Sequence, residues 1–358
     1  MNRYILEYND LDEAIMLLGH EIPYKNLKYV TTILVNLYDE EYEAIKESGY
    51  NIKKDIEIKS SDALLAVPPY ELPSSETPPT TLFTYYNLTN SHAAEFTGLG
   101  VKVALIDTGC DDNHLAAAPS VTRHDFSVDQ TGVSIEPETH GGRGCIIIGQ
   151  TNLYTGTPTP GATALYGMAY ESDLHSLRVQ EDNTAIFSSS IITAIDYCIA
   201  NSFHIINLSL DGSGGLSTAV NAALAANIIV VCASGNNPAN YISHPANIDG
   251  VIAVNGWLTE VAGSHLTLDG HTQITAVNFV QGHTSTIGGT SQAAFHLTAL
   301  LAIYKQKYPT LNTTKAIHLI KNKALQVDGY TYSLKSHTKT KGILENYETG
   351  AGFIGPIN

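Results

Sequence analysis

The chain has 358 residues, enough to bury a large core and to hold more than one domain. Its 35 acidic residues outnumber 19 basic ones for a formal charge of -16, which argues against a general nucleic-acid binder and leaves no polybasic membrane patch. The first ten residues carry no apolar signal-peptide core and no uncharged stretch reads as a membrane span, so the expectation is a protein without membrane contact, cytoplasmic or released without a signal peptide.

In chain order, residues 4–8 and 29–37 read as strands because β-branched and aromatic side chains dominate them. Residues 10–19 and 39–49 read as helices entered through acidic residues and left at a glycine, and 52–58 alternates as a third strand. That order suits a small α+β, ferredoxin-like unit over residues 1–66. Five of the 14 prolines (Pro68, Pro69, Pro73, Pro78, Pro79) then mark 67–82 as an extended, exposed linker, the kind of segment at which chains are cut.

From residue 83 to 358, short apolar runs at 101–106, 174–179, 205–208, 228–232 and 251–254 alternate with helical patterns at 140–151, 188–201 and 216–227. Apolar strands separated by helices predict a mostly parallel sheet covered on both faces, with reactive groups beyond the C-terminal strand ends. The four cysteines (Cys110, Cys145, Cys198, Cys232) form no C-x-x-C pair, sit in apolar surroundings and read as free buried thiols.

Four segments carry polar residues where that sheet predicts chemistry. Asp107 closes an apolar strand, where a carboxylate needs a partner such as an imidazole N–H, although a turn Asp before Gly109 reads equally simply. His140 enters a buried helix. Asn236 ends another strand, where its amide can donate to an oxyanion or merely serve an Asn-rich turn. Ser291 starts the long uncharged helix after Gly288-Gly289-Thr290; it is either an N-cap or a nucleophile poised over unpaired N–H groups.

Asp107-Thr108-Gly109, His140-Gly141, Ser234-Gly235-Asn236 and Gly289-Thr290-Ser291-Gln292-Ala293-Ala294, in that order and spacing, resemble the subtilisin-like serine proteases, the subtilases. Asn207-Leu208-Ser209-Leu210 is similar to their substrate strand, and Gly167–Leu174, His244-Pro245-Ala246 and Gly350–Ile354 also look like family segments. The resemblance covers about residues 85–355. It implies the subtilisin-like three-layer α/β fold, with residues 1–66 as an inhibitory pro-segment made as part of a zymogen. It implies Asp107, His140 and Ser291 as the triad and Asn236 as oxyanion donor. Peptide substrates are expected to lie along Ser209, Leu210, Asp211 and Gly212 on one side and Ala233, Ser234 and Gly235 on the other.

Departures from the family pattern yield further expectations. After His140-Gly141 the family usually has Thr and then a Val-Ala-Gly run, where this chain has Gly142, Arg143, Gly144 and Cys145; the extra glycines are expected to loosen the start of the His140 helix. Phe295 replaces a usual Pro and is expected to repack a neighbour without taking a direct part in the triad's roles. Asp211 replaces a usual Gly; it reads as a solvated loop residue, or as an acid that favours basic substrates. Calcium ligands usual in the family are missing at 115–118 and 151–163, so no strong calcium site is expected, with weak binding left open, and no other cofactor is implied. His265, Asp269, His271 and His283 match no metal spacing. The leading expectation is a monomeric endopeptidase that cuts its own linker. The alternative is a weak or inactive peptide-binding protein on the same fold. An α/β-hydrolase esterase lacks its Gly-x-Ser-x-Gly motif here.

Overall fold

A computed structural model describes residues 2–18, 22–60, 94–112, 118, 120–127, 140–149, 167–181, 185–212, 215–235, 242–257, 273–277, 290–325 and 353–354. The N-terminal unit contains β1 (Asn2–Glu7), α1 (Leu11–Leu18), β2 (Tyr24–Leu27), a 3-10 turn at Lys28–Val30, β3 (Thr32–Leu37), α2 (Asp39–Glu47) and β4 (Asn51–Lys54). Its four strands form an antiparallel sheet in the order β2-β3-β1-β4. Tyr4, Leu6, Ile33, Val35 and Leu37 pack from that sheet against Ala14 and Leu18 of α1 and Ile45 of α2.

Two expected strands break, and each break faces the rest of the chain. The run at 29–37 is interrupted by the 3-10 turn and by Thr31 at φ 47°. The Tyr29 and Val30 N–H groups donate to Asp196 at 2.6 and 3.2 Å, so they are committed to a side chain and not to a ladder. The run at 52–58 breaks at Asp55-Ile56, and its second half, β5 (Glu57–Ser60), leaves the N-terminal sheet.

The larger unit continues with β6 (Lys102–Asp107), β7 (Thr122–Asp125), α3 (His140–Gly149), β8 (Asp173–Arg178), β9 (Ile186–Phe187) and α4 (Ser188–Ala200). Then come β10 (Ile205–Leu208), β11 (Leu210–Asp211), α5 (Ser217–Ala225), β12 (Ile229–Ala233), β13 (Ile252–Trp257) and β14 (Gln273–Val277). Last are α6 (Thr290–Lys307), α7 (Thr313–Lys323), β15 (Ala324–Leu325) and β16 (Phe353–Ile354). The central sheet runs β15-β16-β14-β13-β12-β10-β6-β8-β7, parallel throughout except for β15 against β16. Strand periodicity sorts its side chains into two cores. Val103 and Leu105 face Cys145 and Ile148 of α3 and Ala294 and Phe295 of α6. Ala104 and Ile106 face Ile191 and Ile195 of α4 and Val220 of α5. These three layers are the mostly parallel α/β sheet, covered on both faces, that the sequence predicts.

The N-terminal unit docks on the α4–α5 side, where Ile5, Leu27 and Val30 join that second core. The four cysteines are free and buried, as expected. Cys110 and Cys145 lie in hydrogen-bonding contact, and that contact together with burial pushes the Cys145 thiol up. No described helix is long and apolar enough to cross a membrane.

Candidate active site

Asp107 is the last residue of β6 and is wholly buried. Its Oδ1 accepts the Thr108 N–H at 2.7 Å and lies 2.7 Å from His140 Nδ1. A carboxylate against Nδ1 selects the tautomer that carries its proton there, which turns the basic Nε2 edge away from Asp107. The imidazole is only 9% exposed.

His140 opens α3, and glycine is what lets that helix start so close to the Asp107 turn. A Cβ on Gly141 would stand 2.6 Å from the Gly109 carbonyl oxygen and 3.1 Å from Asp107 Cβ. The Gly141 N–H instead donates to Thr108 Oγ1 at 2.9 Å, which satisfies one of the open donors at a helix start. Gly142 and Gly144 are buried within an intact helix. At Gly144 the missing side chain allows closer packing. Gly144 leaves room that a Cβ would take from Leu105 Cδ2 at 2.7 Å and from the Phe295 ring at 3.0 Å.

Ser291 is the second residue of α6 and is fully buried at the same junction. Three contacts hold it there. Thr290 Oγ1 accepts the Gly235 N–H at 3.2 Å, joining the helix start to the segment beyond β12. Ser209 Oγ donates to Asn207 Oδ1 at 2.9 Å and lies 3.5 Å from the Ser291 carbonyl oxygen. Asn207 in turn donates to Thr298 Oγ1, two turns along α6, at 2.9 Å. Phe295, one turn past Ser291, sets its ring against His140 at 5.4 Å between centroids. The larger side chain at 295 thus packs against the imidazole itself.

The remaining predicted residues fall into two groups. Ser209, Leu210, Ala233, Ser234 and Gly235 are buried, Ser209 against Ser291 and Gly235 against Thr290, and Gly212 donates to the His244 carbonyl oxygen at 2.9 Å. Gly235 adopts φ 102°, a value suited to glycine. Asn236 lies outside the described residues, as do 115–117 and 151–163 of the expected calcium positions, the His265–His283 group and the loop 278–289, while Ala118 is buried.

One participant was not anticipated. β11 pairs antiparallel with β5, Leu210 opposite Ser60 and Asp211 opposite Lys59. On its other edge β5 pairs antiparallel with β9, Glu57 opposite Phe187 and Ile58 opposite Ile186. Residues 57–60 are therefore the middle strand of a three-stranded sheet over the site. β9 spans two residues, too short to show any period, so only its apolar Ile-Phe pair before a serine-rich helix start hinted at it.

Just beyond that strand, Asp55 accepts the Ser189 N–H at 2.9 Å, bonds the Ser189 hydroxyl and pairs with Arg3 Nε at 2.5 Å. A carboxylate from the N-terminal unit thus caps the positive end of α4. Burial pushes this carboxyl up, against the opposing pull of Ser189 and Arg3.

Comparison with known proteins agrees with this geometry. The model of the Subtilase family (peptidase S8) matches residues 98–352. A thermostable alkaline protease of Halalkalibacterium halodurans is 29% identical over 284 residues, covering 75% of this chain and 72% of the relative. Subtilisin DY of Bacillus licheniformis is 26% identical over 260 residues, covering 67% of this chain and 89% of the relative. Among solved structures, fervidolysin of Fervidobacterium pennivorans, described as a keratinolytic enzyme related to subtilisin, superposes with a TM-score of 0.69 at 18% identity. That likeness covers 99% of this chain and 60% of fervidolysin, and it concerns the fold.

Proposed function

The chain belongs to the subtilase family of serine-type endopeptidases, and from that premise we propose that Asp107, His140 and Ser291 cut peptide bonds as a triad. The observation that carries this reading is the 2.7 Å contact from His140 Nδ1 to buried Asp107, at the junction where Ser291 lies in the first turn of α6. Ser291 Oγ adds to the peptide carbonyl while His140 Nε2 takes its proton. The oxyanion is met by the Ser291 N–H and the Asn236 amide, at the positive end of α6. His140 then gives the proton to the leaving amine as the C–N bond breaks, and water repeats the sequence on the acyl-enzyme. Asp107 orients the imidazole and balances its charge.

Residues 1–66 act as the chain's own first substrate and inhibitor. Support comes from β5, which lies in the cleft as an extended peptide would. β5 is antiparallel to β11, and Ser209, just before β11, contacts Ser291, so β5 runs toward the nucleophile. The cut then falls soon after Ser60, ahead of the proline-rich linker in which it was expected. Intact-mass analysis tests this. The wild-type chain is expected to lose a fragment of little more than 60 residues, and Ser291→Ala to stay whole. If both stay whole, the peptide-binding alternative takes over.

Asp211 and Lys59, of opposite charge, hold facing positions in the β11–β5 ladder. Cross-strand pairs of this kind contribute about 0.2–1 kcal/mol. A basic residue at the substrate position equivalent to Lys59 is therefore preferred, by up to about fivefold. Profiling a peptide library varied at that position checks it; Asp211→Asn is expected to erase the preference.

A further inference from the structure

Phe295 stands one turn after Ser291 on α6, and Gly144 one turn after His140 on α3, so each shares a helix face with its catalytic neighbour. The Phe295 side chain is fully buried. Its ring meets the imidazole at 5.4 Å with the planes tilted by 57°, within the range that aromatic pairs favour. A Cβ on Gly144 would come to 3.0 and 3.1 Å from two Phe295 ring carbons. The ring therefore fills the space that a side chain at position 144 would take. Leu105, two residues before Asp107, would meet the same Cβ at 2.7 Å and closes the pocket from β6. One ring thus touches the junction of all three elements that carry Asp107, His140 and Ser291.

We propose that Phe295, seated in the socket left by Gly144, is a positioning residue that fixes the orientation of the His140 imidazole toward Ser291. This rests on the reading of His140 as the base for Ser291. The Asp107 hydrogen bond fixes the ring at Nδ1. An aromatic surface against the imidazole restrains the tilt of the ring about that contact. The two departures from the family pattern are then a matched exchange, volume lost on α3 and gained on α6. Misplacement of a reacting group by about 1 Å lowers rates on the order of a hundredfold, so the seat of the ring matters to the chemistry.

The test uses the full chain with two readouts: its self-processing rate by intact mass, and the low-field proton resonance of the His140 Nδ1–H. Gly144→Ala overfills the socket and Phe295→Leu empties it. Each is expected to slow processing at least about tenfold and to shift or broaden that resonance. The double variant, which adds volume at 144 and removes it at 295, is expected to return to within about threefold of wild type and to regain the sharp signal. A double variant slower than either single one, or an unaltered resonance in both single variants, overturns the proposal. Thermal melts establish that each variant folds. Where Gly144→Ala does not, Phe295→Leu alone decides, since a wild-type resonance there refutes the positioning role. A wild-type chain that stays as whole as Ser291→Ala counts against the protease reading, while the resonance still decides about Phe295.

Discussion

Two junctions meet at this site, and they are held by different means. Around Asp107, His140 and Ser291 the elements are locked by packing: Gly141 against the Gly109 carbonyl, Gly144 against Leu105 and Phe295, with no room for one added carbon. Between the N-terminal unit and the rest, most of the named contacts are exchangeable: a ladder of two short pairings, the Asp55 cap, the Asp196 acceptor, and a small apolar patch of Ile5, Leu27 and Val30. Water or another peptide can replace the polar contacts, but nothing in solution can replace a close-packed ring. Parts that must keep their geometry are packed; the part proposed to leave is hydrogen-bonded.

Substitutions at the two junctions should therefore fail differently. The largest effect is expected at Gly141→Ala, whose Cβ meets backbone that cannot swing aside. Stability is expected to fall by about 1–3 kcal/mol, and peptide cleavage on the order of a hundredfold, because α3 must move off the Asp107 turn. Thermal melts and kcat/KM measure both; a variant with lost stability and intact kcat would break the link between packing and chemistry. Asp55→Ala comes next. Losing the α4 cap and the Arg3 pair is expected to weaken binding of residues 1–60 to the processed enzyme by about tenfold. Inhibition by the added N-terminal fragment reads this, and kcat is expected to stay unchanged.

The smallest effect concerns pH. Burial lowers the pKa of His124, His175, His204 and His244. For His175, Asp173 opposes that shift and Lys102 adds to it, while His124 is lowered further by His175 and Lys102. Folding makes these rings harder to protonate than in the unfolded chain, where imidazoles take protons at about pH 6.5. Their stabilising contribution is full above that pH and declines as the pH falls through their lower folded values. The melting temperature is expected to drop from pH 7 to pH 5, and less steeply in His175→Asn. A flat profile would remove the histidines from the account.

Some of this was legible in the residues and some was not. Asp107, His140 and Ser291 stand beside strand ends and helix starts that apolar periodicity marks clearly. The uncharged run after Ser291 announced a helix buried along most of its length, and Thr290 to Tyr304 are all buried. β7 was missed because Thr-Arg-His-Asp at a sheet edge carries no apolar signal. β9 was missed because two residues have no period, and β11, equally short, was legible only through the family resemblance of the substrate strand. The strand expected at 52–58 was divided by a partner elsewhere in the chain, since Asp55 and β5 take their contacts from α4, β9 and β11. Phe295 against His140 was hidden for the same reason: local pattern reports which face of a helix is buried, and says nothing of what lies across it.

The middle position of β5 has one more consequence. Neighbouring strands stand about 4.8 Å apart, so β9 and β11, with one strand between them, are held roughly 9.6 Å from each other. If residues 57–60 withdraw, these two edges are too distant to bond together and too short to twist into contact. The breach cannot heal from within. It stays open as a slot of one strand's width, with main-chain groups on both lips, and what those lips offer an extended polypeptide is backbone pairing.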